Sequence, residues 1–487
     1  MPKLQDNYGE CGHSAVVFRK PIPGEMPHYE LPENQLTHGA SLSNRRIWVN
    51  TRSNGTIERV FCHAVGLNLL GSISLTYAMP KRVLVGLAPE PRCLAEQSGG
   101  HFFLTPEGPG TIAIYPFRQK HAFDLSGSLH VEETLLVPRF EKADPPVAMQ
   151  HIEITNLSRE NVSLLLTAHV DIAGGTADDL VIRFDERLNA LVVHNDSHPN
   201  YCRLIGVDGP NFTYEITQDA SDSYATPIFD TPAETHAGRK GHVGQLHLRL
   251  DIEAGETAEA TLKIAVSHLG EDEAKTWFER CLDFRAHLRD TVNLLTPVAS
   301  LSSVETPDPI INQGVFWSKI NMLRVMADYP EGPAFTNEPG VSSNVVGRDA
   351  AWYVYGGDYL VPGFSAELLL KFAEKQYEDG KIAEYFNALD GHAEDYGLSM
   401  NDDTPLFVLA CAHHYAATQD GDFLNRIYQS AKRAAEYILS QRDDRGLIVA
   451  RADGHEVWGI ASWRNVIPNY QINGAVTEIN SECYAAL

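Results

Sequence analysis

Arg348 and Asp349 stand side by side after Gly347, immediately ahead of Trp352, Tyr353 and Tyr355. A guanidinium fork, a carboxylate and flat aromatic faces suit the hydroxyls and C–H faces of a sugar. Asp402 and Asp403 bring two further carboxylates, and Trp458 and Trp463 two further flat faces. Cleavage of a glycosidic bond needs one carboxylic acid to protonate the leaving oxygen and one carboxylate to activate water or attack carbon. Each residue also has a plainer use. An Arg-Asp pair near a helix start is often a solvated charge pair, Asp402 and Asp403 suit an N-cap, and tryptophans pack cores and rims. What favours a ligand site is the recurrence of such groups on successive segments, GRDAAWY, EYFNALDGHAEDYGLSMNDD and DDRGLIVARADGHEVWGIASWRN. Helices alternating with such loops gather them at one end of a bundle, where ligand sites collect.

Those loops need helices to hold them, and after about residue 300 the spacing is helical. Leu424, Ile427, Tyr428, Ala431, Ala434, Ala435, Ile438 and Leu439 share one face, with Gly446 following a charged turn. The pattern predicts further helices over 307–328 and 359–377, one starting at Asp402 or Asp403 and running through LFVLACAHHYAAT, and one starting in TEINSECYAAL, 477–487, that the end of the chain cuts short. From about 40 to 270 the period is two. RRIWVNT leads through Asn54-Gly55 into TIERVFC, a strong hairpin signal. The stretches 149–172 and 246–267 repeat that design, strand, polar turn, strand, so stacked antiparallel sheets are expected. Between the two halves, Ala274, Trp277, Phe278, Cys281, Leu282, Phe284 and Leu288 fall near helical spacing and predict a connecting helix over 270–293.

The totals set the class. A chain of 487 residues with 43% hydrophobic content supplies two substantial cores. Its 39 Lys plus Arg against 64 Asp plus Glu give a formal charge of −25, which repels nucleic acid and anionic lipid alike. The polar N-terminus and the lack of a long apolar run point to a cytoplasmic protein. Cys11, Cys62, Cys93, Cys202, Cys281, Cys411 and Cys483 are scattered, with no CxxC spacing, and read as reduced, buried thiols. Cys411, His413 and His414 do not converge on one ion from a single helix, so no metal site is expected.

The order of these parts, with "GRD", "GKIAEYF", "YGLSMNDDTPLFVLA" and "GAVTEINSECYAAL" in the helical half and "SNRRIWVNTRSNGTIERVFC" near the start, resembles the glucoamylase and glycogen-debranching (amylo-α-1,6-glucosidase) group of glycoside hydrolases. The layout covers most of the chain; the specific motifs are confined to roughly 345–487. The resemblance implies a multidomain chain: an all-β supersandwich, 1–269, a linker helix, 270–299, and the first half of a catalytic (α/α)6 barrel, 300–487. It implies that Arg348 and Asp349 hold a sugar at a non-reducing end beside Trp352. Asp403, from the family's D-x-P-L block, and Glu478, from its V-E-I-N block, would line the same pocket, with Trp458 and Trp463 as aromatic walls. The family's general acid, an aspartate in W-x-D, falls on Asn465 in Trp463-Arg464-Asn465, and an amide cannot deliver that proton. A second alignment makes Glu456, beside Trp458, the acid. The base is expected beyond residue 487, and no cofactor or metal is implied.

Three functions follow. The first is inverting hydrolysis of α-glucosides, an oligosaccharide or glucoside being the only small-molecule partner. The second is a disaccharide phosphorylase, which needs cationic groups for phosphate where the visible loops are acidic. The third is a catalytically incomplete binding or assembly subunit. A half-barrel would expose apolar helix faces, which calls for a homo-oligomer or a second chain that completes the barrel.

Overall fold

The computed structural model describes residues 27–80, 101–126, 128–209, 212–217, 239–240, 242–394, 399–451 and 474–487. Alternating apolar positions in the first half build two antiparallel sheets that share one core. Among the described residues one sheet has ten strands and the other nine. The first runs from Tyr29–Pro32 through Thr111–Ile114, Arg118–Leu125, Leu129–Leu136 and Val147–Asn156 to Thr257–Ser267 and beyond. In the second, Val162–Asp171 lies between Val243–Ile252 and Ile73–Pro80, followed by Ile57–Cys62 and Ile47–Thr51. Val131, Ile152 and Leu262 of one sheet pack with Ile47, Leu164 and Leu248 of the other in a single cluster.

The Asn54-Gly55 hairpin is present. Ile47–Thr51 pairs directly with Ile57–Cys62, and Gly55 takes φ +78°, which such a turn needs. The other two expected hairpins are not hairpins. Val147–Asn156 and Val162–Asp171 belong to different sheets, as do Val243–Ile252 and Thr257–Ser267, so each polar turn is an arch over the core edge. Asn156 ties the two arches together. Its backbone N–H donates to Glu256 and its backbone oxygen accepts from Gly255. Its Nδ2 donates to the carbonyls of Glu160, Ile252 and Glu253 at 2.7, 3.2 and 3.2 Å.

The expected connecting helix is two helices, α1 (Glu271–Arg280) and α2 (Phe284–Ala299). Asp283 between them is extended, and its carboxylate caps α2 by accepting from Ala286 N–H at 3.0 Å. Ala274, Phe278, Cys281 and Phe284 cover the outer face of the ten-stranded sheet, against Met149, Val192, Cys202 and Leu204. That cover explains why several of these strands are buried on both faces.

The helical part continues with α3 (Pro309–Val325), α4 (Gly347–Gly357), α5 (Pro362–Glu374), α6 (Asp403–Thr418), α7 (Gly421–Ser440) and α8 (Thr477–Ala486). Tyr353 and Val354 of α4, Leu368 and Phe372 of α5, Leu406 and Ala410 of α6 and Ile427 of α7 form its core. It is anchored to the sandwich. Arg324 at the end of α3 donates to the carbonyls of Tyr115 and Pro116, and Arg45 pairs with Asp328. Five described cysteines, Cys62, Cys202, Cys281, Cys411 and Cys483, are free and buried. No described helix is long and apolar enough to cross a membrane.

Candidate functional site

A short sheet sets the start of α4. Asn344–Val346 pairs with Tyr385–Asn387, and Gly347 N–H donates to the Glu384 carbonyl at 2.8 Å. The chain then enters the helix against Asp403, so closely that a Cβ on residue 347 would lie 2.7 Å from Asp403 Oδ1. Only glycine fits there. Arg348 N–H, an open donor in the first turn of α4, donates to the same Oδ1 at 2.7 Å.

The Arg348 side chain closes the second link. Its Nη2 donates to Asp402 Oδ1 at 2.6 Å, and its Nε donates to Asp402 Oδ2, a bidentate pair. Asp402 therefore does not cap α6 with its side chain, contrary to the reading of Asp402 and Asp403 as caps of their own helix. Its backbone is already helical and its carboxylate is turned to the arginine. Asp403 likewise serves α4 rather than α6. The two aspartates lock the start of one helix to the start of the other.

The electrostatics follow from burial. Asp403 is 1% exposed, and its Oδ2 has no hydrogen-bond partner. Burial first, then the charge of Asp402, hold its carboxyl well above the usual carboxylate range, with Arg348 opposing and Glu384 adding to the rise. With Oδ1 accepting from Arg348 N–H, Oδ2 is the oxygen left open to a proton. Asp349, beside Arg348, is also raised, by burial first, against the pull of Arg348.

Helix α8 brings the remaining acids. Glu482 is pushed up to about 7 by burial and then by the charges of Asp402 and Glu478, with Arg348 opposing, and its Oε2 lacks a hydrogen-bond partner. It lies four residues after Glu478, on the same helix face. Glu384 is buried, and its charge acts on both Arg348 and Asp403. The sequence reading named Arg348, Asp349, Asp403 and Glu478 and missed Glu384 and Glu482. The i, i+4 repeat of acids in TEINSE was the available signal for Glu482; nothing in the spacing marks Glu384.

Trp352, one turn after Arg348, is 59% exposed and leans on Tyr355 with ring centroids 5.6 Å apart. Glu456, Trp458, Trp463 and Asn465 lie outside the described residues. Cys411 sits in the core, and both His413 and His414 are held by Asp358, Nδ1 to carboxylate oxygen 2.9 and 2.6 Å. Among the described residues one other group, His151, Glu153 and Glu259, brings three ligand-type atoms together, but Arg285 Nη2 already bonds both glutamates at 2.8 and 2.7 Å.

What the arrangement can do is narrow. It offers buried carboxyls held above the usual range beside one arginine, and its anionic surplus favours a neutral, hydroxyl-rich ligand over an anion.

No family model and no curated protein matches the chain. Solved structures do. One is a protein from human microbiome assigned provisionally as a kojibiose phosphorylase, with TM-score 0.56 and 11% identity over 89% of this chain and 62% of that one. Another is a bacterial glucoamylase complexed with acarbose, with TM-score 0.50 and 11% identity over 87% of this chain and 61% of that one. The chain thus spans less than two thirds of the length of either. At that identity the likeness is one of fold: this chain has the architecture, β-sandwich followed by helices, in which it matches a kojibiose phosphorylase and a glucoamylase.

Proposed function

We propose that this chain belongs to a glycoside-processing enzyme that hydrolyses α-glucosidic bonds from a non-reducing end with inversion. In this reading residues 1–269 are the supersandwich, 270–299 the linker and 300–487 the first half of an (α/α)6 barrel. The observation that carries it is the buried Asp403, 1% exposed, its carboxyl held well above the usual carboxylate range and its Oδ2 unpartnered, beside the Arg348–Asp402 pair. A protonated carboxyl donates to a sugar oxygen, and neighbouring carboxylates accept from hydroxyls. Inversion places the reacting carboxyl pair about 6.5–9.5 Å apart. The acid is assigned to Glu456, or to the position of Asn465.

Phosphorolysis is the second reading, supported by the likeness to the phosphorylase fold. Against it, the arginine of the group already spends two donors on Asp402. Titration of the full chain with acarbose tests the site without requiring turnover. Wild type binds, and Asp403→Leu, which keeps the volume but loses donor and acceptor alike, binds about tenfold or more weakly. Equal binding by the two proteins would remove Asp403 from the site. Product analysis with maltose, with and without inorganic phosphate, separates the two reactions: glucose alone supports hydrolysis, and glucose 1-phosphate supports phosphorolysis.

A further inference from the structure

Away from the helical part, the sandwich holds a cavity of about 450 Å³, within the span of small-molecule sites, about 300–1,000 Å³. One wall is polar. His121 and Glu133 are cross-strand partners, and Glu133 accepts from Tyr77 O–H at 2.6 Å and from Gln150 Nε2 at 3.2 Å. His121 Nε2 lies 3.1 Å from Glu33 Oε2, and the ring is held in a slot between two glycines. A Cβ on Gly55 would come within 2.7 Å of its Nδ1, and one on Gly110 within 2.5 Å of its Nε2. Ile73, Leu75 and Phe103 line the cavity from the other sheet, and Phe123 adds an apolar face beside the His121 ring, centroids 4.6 Å apart.

The wall has an unmet need. Gln150 is 2% exposed and lines the cavity, and its Oε1 has no hydrogen-bond partner. A buried, unsatisfied amide oxygen is destabilising unless something donates to it. Glu133 and Glu33 add carboxylate acceptors, which disfavour an anionic ligand. Both carboxylates already have donors from the protein. The atoms left wanting are Gln150 Oε1 and His121 Nδ1, and with His121 Nε2–H donating to Glu33 both are acceptors without charge, which match hydroxyls better than an ammonium. Hydroxyl donors on one edge and a C–H face on the other describe a sugar ring.

We infer that this cavity is a non-catalytic carbohydrate site that takes one neutral pyranose unit, with its hydroxyls on Gln150 and Glu133 and its ring against Phe103 and Phe123. It is separate from the carboxyls around Arg348, and it stands whether or not those act on sugars.

The test is saturation-transfer NMR on the full chain with methyl α-D-glucopyranoside as probe and ethylammonium as the cationic comparison. Three variants are compared once thermal melting shows them folded. Gln150→Leu removes one unmet acceptor, Leu75→Phe fills the cavity from its apolar side without touching a polar group, and Asp403→Leu weakens the helical site. The expected result is glucoside binding that falls about tenfold in Gln150→Leu and in Leu75→Phe and persists in Asp403→Leu. Persistence there also holds if the helical site binds no sugar, so the two readings fail separately. Glucoside binding indifferent to both sandwich variants, absent altogether, or replaced by Gln150-dependent ethylammonium binding overturns the inference.

Discussion

At the scale of single residues, the site is a problem of surplus negative charge held by one cation. Asp402 is 3% exposed at its side chain and Arg348 11%, so their pair is largely out of water. Removing one partner of such a pair strands the other, which costs about 3–5 kcal/mol. Arg348→Met should therefore lower stability to urea by about that amount. The double variant with Asp402→Asn should recover part of the loss, since no stranded carboxylate remains. A double variant no more stable than Arg348→Met alone would show that the pair does not carry the energy. Glu482 makes a separate prediction about pH. Its folded value of about 7 lies above the ordinary 4.5, so the folded chain holds this proton longer than the unfolded one. Stability from this group is then present at low pH and lost as pH rises between about 4.5 and about 7. Asp349 and Asp403 are raised too and act in the same direction. Buried His63 and His169, lowered to about 3 and about 4, act the other way below about pH 6.5, so the test is the difference between proteins: relative to wild type, Glu482→Gln should gain roughly 1 kcal/mol in stability as pH rises from 5 to 8, a figure reduced for its partial exposure. A pH profile identical to wild type would remove Glu482 from the coupled group. Residue types made Arg348, Asp349 and Asp403 legible in the sequence. The bond from Arg348 to Asp402 was not, because 54 residues separate them and each had an adequate local use.

At the scale of elements, periodicity told strand from helix but not which strands pair. The stretches 149–172 and 246–267 each show two strands about a short polar turn, the pattern a hairpin gives. The difference between hairpin and arch lies in burial: Val162–Asp171 is interior along nearly its whole length, as a central strand of its own sheet must be. The break between α1 and α2 was hidden in a similar way, since apolar spacing continues across Cys281 and Leu282 while Asp283 stops the helix by capping the next one. Asn156 is the element-scale device that no pattern announces. It is fully buried, and its amide serves carbonyls from both arches. Asn156→Ala would remove the amide where two turns meet, leaving Glu160 O to Ser158 Oγ and Glu253 O to Glu256 N–H, and about 1–2 kcal/mol of stability should be lost. Chemical denaturation measures this directly, and a loss below about 0.5 kcal/mol would mean that water replaces the amide.

At the scale of the whole molecule, the question is whether the sandwich and the helical part behave as one cooperative body. The contact between them is built around Arg324. Its guanidinium is buried, lowered to about 10 by that burial, and satisfied by the carbonyls of Tyr115 and Pro116 in the sandwich. It also lies over Trp317, 5.5 Å from the ring centroid, which packs with Phe117 of the sandwich and with Leu295 and Ile320 of α2 and α3. A charge without a carboxylate partner is retained here because backbone carbonyls solvate it. Arg324→Met keeps most of the apolar stem and removes the donors. It should cost about 2–4 kcal/mol, concentrated at the interface rather than in either core. Calorimetry distinguishes that from a general loss. Wild type should melt in one transition, and the variant should separate into two, with the helical part, whose core is smaller, melting first. A single transition, merely shifted, would mean that Arg45, Asp328 and the apolar contact suffice to join the parts. The carboxyl group around Arg348 would then owe its geometry to the helical part alone.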